Sequence, residues 1–399
     1  MKTANAKENI KVIIGASLLQ CALLGILVNT TGTLFSPIVQ EYGFAMTRVS
    51  AFNIIKSVAG ALTGAAAASV MYRMDPRKYL LGVIGMISFG FAMLVFGANT
   101  FLWYISPALV SLSSTVGIVA IPTFLGQRLS KGAGSATGFA MAFSGVGGVA
   151  FNPIAAFLIQ LVGWRWTVLI LCAITMTFAL VGVLLLFDGT ASFGEAGKGK
   201  PRETKSEGDV PSHLGKRFIL CTLSLFCGSF CTAFVPFVNI YAERLGYSIV
   251  TGALLASMVM VGKIVGKLIF GMLCDLAGTW KAMMVSAGCV FLGLVGFLLF
   301  WRILPLLMAS GFLFGMSYSI ATIAVSRCTN SMYGPAQVRR FNGIHTSITC
   351  GVAAVSSLGI GALYDWWGSF SPMLLILAGA VLISFLCSLL SLRETAKNA

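Results

Sequence analysis

Long apolar stretches recur along this chain at spacings of about 25 to 40 residues, separated by short polar connections. A helix of about 20 apolar residues is long enough to cross the hydrocarbon core of a membrane. The stretches lie at residues 12–35, 48–72, 79–98, 102–126, 136–160, 166–187, 217–241, 248–272, 281–300, 303–326, 341–362 and 369–391. The pattern therefore predicts an all-α membrane protein with twelve transmembrane helices.

One long polar stretch, residues 188–216, interrupts this pattern after the sixth apolar stretch. It is rich in Gly, Ser, Pro and charges of both signs, a composition that is typical of a flexible linker. We therefore predict an N-terminal six-helix half at residues 1–187, a linker at 188–216 and a C-terminal six-helix half at 217–399.

Short polar motifs repeat between the two predicted halves. RMDPRK follows the second apolar stretch and CDLAGTWK follows the eighth, so that Asp75 and Asp275 are 200 residues apart. VGWRW at 162–166 is echoed by YDWWG at 364–368. Parallel repeats of this kind are typical of membrane carriers, which place their site at the bilayer midplane between the repeats.

The composition supports the same class. Of the 399 residues, 57% are hydrophobic and 10% are charged, and the mean hydropathy is +0.92, whereas soluble domains carry about 25% charged residues. No stretch remains for a soluble catalytic domain, and we expect no enzymatic activity and no cofactor. The ten cysteines follow no ligand spacing, so we expect no metal site.

Most basic residues fall on one side of the predicted membrane. The net charge is +15, and if both termini are cytoplasmic, 20 of the 27 basic residues lie in cytoplasmic segments and four in the outer loops. This asymmetry follows the positive-inside rule and explains the charge without nucleic acid. We predict a monomeric, multi-pass protein of the cytoplasmic membrane, with a cytoplasmic linker and both termini inside.

Three basic residues remain, Lys56, Lys263 and Lys267, and all three fall inside predicted helices. Lys263 and Lys267 are four residues apart and share a helix face, about 18 Å and about 12 Å along the helix from Asp275. A lysine at the centre of a membrane helix costs about 2.5 to 3.5 kcal/mol unless it finds water or a partner. All twelve acidic residues fall in loops, tails or helix ends, so the partner that we predict is a bound anion.

The motif GMLCDLAGTWK after the eighth stretch resembles the loop G-x-x-x-D-x-x-G-x-x-[KR] of the major facilitator superfamily. In the first half Met71 replaces the leading Gly and Pro76 interrupts the motif. The resemblance implies the fold of that superfamily over the whole chain, and for this loop a gating role rather than substrate contact. The residues concerned are Arg73, Asp75, Gly271, Asp275, Gly278 and Lys281.

Three stretches are similar to the monocarboxylate transporters and the oxalate/formate exchangers of that superfamily. FSGVGGVAFNPIAAFLIQLVGWRWT resembles their glycine-rich fifth helix, and GTLFSPIVQEYGFAMTRVS resembles their first helix and exit loop. Both families have a basic residue eight positions before the loop Asp, which is Lys267 here. The monocarboxylate transporters have an Asp that can pair with it, at the position of Lys263 in this chain.

Other polar residues at membrane depth complete the predicted site. Asn29 stands at or near the position of a lysine in the first helix of the monocarboxylate transporters, and Tyr318 lies on the tenth helix. Histidine is the side chain that ordinarily titrates near neutral pH, so His345 is a candidate carrier of a coupled proton. The predicted substrate-binding residues are Lys263, Lys267, Lys56, Asn29, Tyr318 and His345.

The resemblance implies a secondary active transporter of small mono- or dicarboxylates that works by alternating access. Because no acidic residue lies at membrane depth to relay protons, either exchange of anions or symport through His345 or a lysine is expected. Two alternatives stay open: an exporter of hydrophobic or cationic compounds, and a membrane sensor that binds a solute without transporting it.

Overall fold

The structure, a computed structural model, describes residues 6–71, 74–96, 99–128, 133–187, 216–324, 327 and 335–397. Every regular element in these ranges is a helix. Eight of the helical runs are long and apolar enough to cross a membrane, and one of them, Ala136–Leu186, contains two helices. The predicted all-α membrane class is confirmed.

Twelve helices can be followed through the described residues, in the order that the apolar pattern predicts. They are α1 (6–42), α2 (Met46–Met71), α3 (Pro76–Phe96), α4 (100–128), α5 (133–162), α6 (164–186), α7 (216–244), α8 (Ile249–Ala277), α9 (Thr279–Leu299), α10 (Leu304–Ala324), α11 (Pro335–Trp367) and α12 (Ser371–Lys397). α5 and α6 form one continuous run that bends at Gly163, where φ is 79° and glycine is therefore favoured.

These helices form two compact units. The first unit comprises Met1–Gly43 and Ile55–Lys205, and the second comprises Phe44–Ile54 and Ser206–Ala399. α2 therefore contributes its first residues to the second unit and its remainder to the first. The predicted linker, apart from Lys216, lies outside the described residues, and the predicted division of the chain stays a prediction.

The first and fourth helices of each six depart from α-helical geometry. α1 contains a π-helical stretch at Cys21–Val28, and π turns occur in α4 at Val116–Ala120 and in α10 at Ile320–Ala324. α7 contains a 3₁₀ stretch at Cys231–Phe237. The matching positions are a structural sign of the internal repeat, and π turns are frequent at functional sites.

Glycines bring α1 and α5 into close contact in the first unit. A Cβ added to Gly25 would lie 2.8 Å from the Cα of Gly147, so a larger residue does not fit at this crossing. Close by along α1, the side-chain amide of Asn29 donates to the carbonyl oxygen of Ser144 at 2.7 Å. Small residues and side-chain hydrogen bonds of this kind hold helices together in membranes.

α8 and α10 cross still more closely in the second unit. A Cβ added to Gly262 or Gly315 would lie 1.9 or 2.1 Å from a backbone carbonyl oxygen of the other helix. One turn along α8, a Cβ on Gly266 would lie 2.9 Å from a backbone Cα of α10. Because Lys263 and Lys267 each follow one of these glycines, the crossing places both lysines beside the contact face.

The N-terminal end of α2 is fixed to α11 within the second unit. The carboxylate of Asp365 accepts the backbone N–H groups of Met46 at 2.7 Å and Thr47 at 2.8 Å. A carboxylate at the N-terminus of a helix accepts hydrogen bonds from N–H groups that have no partner within the helix, and it interacts favourably with the helix dipole. One turn earlier on α11, a Cβ added to Gly361 would lie 2.7 Å from the carbonyl oxygen of Met46. These contacts explain why Phe44–Ile54 belongs to the second unit.

Replacing Gly262 by alanine is expected to destabilise the protein by about 1 to 3 kcal/mol, because the added methyl group must displace the backbone of α10. Thermal unfolding of the purified protein in detergent measures the effect. Gly288→Ala on α9 is the matched control, since a Cβ there meets no atom within 4 Å. Equal melting temperatures for the two variants would contradict the close crossing of α8 and α10.

Candidate functional site

The structure brings two of the predicted site residues, Lys263 and Tyr318, into contact in the second unit. The Nζ atom of Lys263 lies 4.5 Å from the centre of the Tyr318 ring. The electrons of an aromatic ring attract a cation above its face by about 0.5 to 2 kcal/mol. The glycine crossing sets the distance between α8 and α10, and Tyr318 stands just before the π turn Ile320–Ala324.

Lys267 lies one turn further along α8, on the same face as Lys263. Both side chains are half-buried within the protein. Neither forms an ion pair or a hydrogen bond with any side chain that the structure describes. The ring of Tyr318 compensates only part of the cost of one ammonium group, and the two like charges repel each other. The pair is therefore a cationic site that lacks a counter-ion within the described part of the chain.

A hydroxyl group that the sequence analysis did not single out lies next to Tyr318. The Oγ atom of Ser317 is buried and has no hydrogen-bond partner among the described residues. A buried hydroxyl without a partner costs about 1 to 3 kcal/mol. Its sequence signal is weak, because serine is common in membrane helices as a packing residue.

The structure describes no contact between the lysine pair and the three other predicted site residues. Lys56 and Asn29 belong to the first unit, where Lys56 is half-buried on α2 and forms no ion pair with a described carboxylate. The side-chain amide of Asn29 is engaged with the carbonyl oxygen of Ser144. His345 lies on α11, and its side chain is outside the described part of the structure. The role of all three stays a prediction.

In the first unit, the predicted gating loop makes structural contacts. Asp75 caps α3 by accepting the backbone N–H groups of Arg77 at 2.8 Å and Lys78 at 3.3 Å. The guanidinium of Arg77 donates to the carbonyl oxygen of Phe187, at the end of α6. Arg73 lies outside the described residues. The motif thus ties the start of α3 to the end of α6.

In the second unit, the same motif joins α8 to α9. Asp275 forms an ion pair with Arg327 at 3.1 Å, a partner that sequence spacing did not indicate. Gly278 separates the two helices with φ of 88°, a conformation that favours glycine. Gly271 has open space around it and Lys281 is exposed. The acidic residue of the motif is therefore paired, unlike the lysines deeper in α8.

A second pair of charged residues was also missed by sequence reasoning. In the first unit Arg165 forms an ion pair with Glu41 at 2.5 Å, and the indole nitrogen of Trp164 donates to the same carboxylate at 2.6 Å. These contacts tie the end of α1 to the corner between α5 and α6. The two residues stand in the two first-half stretches that resemble the monocarboxylate transporters, but nothing in the sequence pairs them.

The arrangement at α8 and α10 suits binding rather than bond cleavage. Two ammonium groups attract an anion, and they and the phenol hydroxyl of Tyr318 are able to donate hydrogen bonds to its oxygen atoms. Among the described residues, no group of three His, Cys, Asp or Glu side chains is placed to hold a metal ion.

Comparisons with known proteins place this geometry in a family. The family model described as Major Facilitator Superfamily matches residues 18–357, whereas no curated protein matches the sequence. A point mutant of the nucleoside transporter NupG has a TM-score of 0.75 and 14% identity, covering 96% of this chain and 99% of that chain. NupG itself has a TM-score of 0.69 and 15% identity, covering 97% and 99%.

A third similar structure is a bacterial homolog of the human lysosomal transporter Spinster, solved in an inward-facing and occupied conformation. Its TM-score is 0.68 and its identity 12%, covering 98% of both chains. At such identities these structures show the fold alone. They are not specifically members of the monocarboxylate and oxalate/formate branch, so the superfamily expected from the loop motif is confirmed and the branch stays a prediction.

Replacing Lys263 by methionine is expected to stabilise the ligand-free protein by up to about 3 kcal/mol, because it removes a cation without a counter-ion from a membrane helix and conserves volume. The melting temperature in detergent, with no carboxylate in the buffer, measures this change. Lys281→Met at the exposed start of α9 is the control and is expected to change it little. A lower melting temperature for Lys263→Met alone would indicate a structural role for the lysine.

Proposed function

We propose, on the premise that the chain belongs to the major facilitator superfamily, that it is a secondary transporter of small organic anions. The family and the similar structures identify a multi-pass membrane transporter and not an enzyme. The observation that carries the anion proposal is the pair of lysines on α8, which has no counter-ion among the described residues. A substrate carboxylate supplies the missing negative charge.

In this proposal Lys263 and Lys267 bind the substrate carboxylate from one face of α8. Their spacing of one turn suits one carboxylate shared between them or two carboxylates of one dianion. Tyr318 holds the ammonium group of Lys263 while the site is empty, and the phenol hydroxyl is a further donor for the anion. Lys56, Asn29 and His345 stay predicted substrate-binding residues in the same proposal.

Release of the substrate follows from the same electrostatics. In the empty site the ammonium groups of Lys263 and Lys267 repel each other. A bound anion reduces both this repulsion and the free-energy cost of burying the two charges. The substrate is therefore bound most strongly where water is excluded and more weakly when the site opens to solvent. This dependence on solvent access suits alternating access, either as exchange of anions or as symport with a proton carried by His345 or a lysine.

The orientation and the gate are part of the proposal. The excess of Lys and Arg on one side favours the cytoplasmic membrane with both termini inside, and a monomer suffices because each chain carries both six-helix halves. The loop after α8 is proposed to gate through the Asp275–Arg327 ion pair, which is exposed and therefore easily broken and reformed.

Two other substrate classes are disfavoured by the site. A cationic compound would meet two unpaired ammonium groups, which repel it. Neutral nucleosides are suggested only by the name of NupG, at an identity that supports fold alone. Competition by nucleosides or cationic dyes against anion uptake distinguishes these classes, and binding without flux would indicate a sensor.

Uptake of labelled formate, oxalate, lactate, pyruvate or succinate into vesicles containing the purified protein tests the proposal. Lys263→Ala and Lys267→Ala are each expected to lower uptake about 10- to 100-fold, because each removes a charged hydrogen-bond donor to the substrate. Tyr318→Leu is expected to lower uptake less, and Tyr318→Phe less again, since the ring remains.

Arg302→Gln is the matched control, because it removes an exposed cation outside the site and leaves the lysines in place. It is expected to transport at the rate of the unmodified protein. Unchanged uptake in both lysine variants would reject the site. Uptake of none of the anions by the unmodified protein, with transport of a neutral or cationic compound, would reject the substrate class.

A further inference from the structure

A cavity of about 340 Å³ lies in the second unit and shares no lining residue with the lysine pair. It is formed where the C-terminal ends of α7 and α9 meet the turn between α11 and α12. Of its twelve lining residues, one is a cation, Arg244, and five are aromatic: Tyr241, Phe297, Trp301, Tyr364 and Phe370. Cavities of this size accept small ligands or part of a larger one.

The aromatic walls are held in place by hydrogen bonds and ring contacts. The Tyr241 hydroxyl donates to the carbonyl oxygen of Phe297 at 2.5 Å, and the rings of Tyr364 and Phe370 lie 4.4 Å apart. The hydroxyl of Tyr247, just outside the cavity, donates to the carbonyl oxygen of Trp301 at 2.9 Å. The cavity is therefore preformed, and the hydroxyl of Tyr241 is already used to maintain its shape.

Arg244 is the charged group of the cavity. It ends α7, is exposed, and its guanidinium lies 5.8 Å from the centre of the Tyr364 ring. Within the described residues it forms no ion pair with a carboxylate. Its neighbour Glu243 does not line the cavity. The cavity thus offers one free guanidinium above aromatic walls, which is complementary to an anionic group joined to an apolar body.

The exposed side chains around the cavity are of the kinds found at the surface of a membrane. Leu299 and Ile303 expose 66% and 50% of their surface, and Trp366 and Trp367 expose 79% and 53%. Exposed aliphatic side chains of a membrane helix face lipid, and tryptophans gather at the level of the lipid headgroups. The cavity therefore opens at the boundary between the hydrocarbon and the water.

We propose that this cavity binds the headgroup of an anionic phospholipid from the surrounding membrane. The phosphate pairs with Arg244, the first carbons of the lipid pack between the aromatic rings, and the acyl chains continue over the exposed aliphatic surface beside Leu299. The volume admits a headgroup and not a whole lipid, which agrees with an open site at the membrane surface. The lipid joins the ends of α7, α9 and α11 and so stabilises the second unit.

The test uses the full-length protein in detergent with short-chain lipids below their micelle concentration. Dihexanoyl phosphatidylglycerol is expected to raise the melting temperature in a saturable way, because ligand binding stabilises the folded state. Arg244→Gln is expected to weaken the apparent affinity about fivefold, the effect of one cation at an anionic lipid. Arg244→Lys retains the charge and is expected to stay within about twofold of the unmodified protein.

Controls separate the possible sources of binding. Arg302→Gln removes an exposed cation that does not line the cavity, although its guanidinium lies 4.4 Å from the centre of the Trp301 ring, and it is expected to leave the affinity unchanged. An equal loss in both glutamine variants would overturn the site in favour of general surface charge. Equal stabilisation by dihexanoyl phosphatidylcholine would overturn the role of the anionic group. If inorganic phosphate raised the melting temperature as much as dihexanoyl phosphatidylglycerol does, and in an Arg244-dependent way, the lipid would be rejected as the ligand. The absence of any saturable effect of the lipid would also reject it.

Discussion

An ammonium group inside a membrane helix requires water or a negative charge, and the site of this protein depends on that requirement. Two ion pairs form near helix ends: Arg165 pairs with Glu41, and Arg327 pairs with Asp275. Lys263 and Lys267, in the middle of α8, pair with no carboxylate of the described chain. Their cost is compensated only in part by the ring of Tyr318. This imbalance is the basis of the proposal that the site binds an anion.

The glycine contact between α8 and α10 gives this site its geometry. Backbone approaches as close as those at Gly262 and Gly315 leave no space for side chains, so the neighbouring Lys263 is held against α10 rather than free to extend to the membrane surface. At the described contact between α2 and α4 in the first unit, a Cβ on Gly60 would meet the side chain of Ser111 at 3.7 Å, an ordinary van der Waals distance.

The polar side chains fall into two groups, according to whether neighbouring residues pair their polar or charged groups. Asn29 and Asp365 have their groups engaged, the first with a backbone carbonyl of α5 and the second with two N–H groups at the start of α2. Such residues maintain helix contacts. Lys263, Lys267, Lys56 and Arg244 keep charges that the described protein does not balance, and these are the positions where we propose ligands.

The sequence by itself determined the class of the protein, because the length and spacing of apolar stretches depend only on the thickness of the membrane. It also identified Lys263 and Lys267, since a charge within an apolar stretch is visible without coordinates. The loop motif was sufficient to predict the superfamily. Only the tertiary structure decided which groups meet: Lys263 with Tyr318, Asp275 with Arg327, and the start of α2 with Asp365. These contacts join residues far apart in the chain, and helix packing, which depends on the fit of whole faces, brings them together.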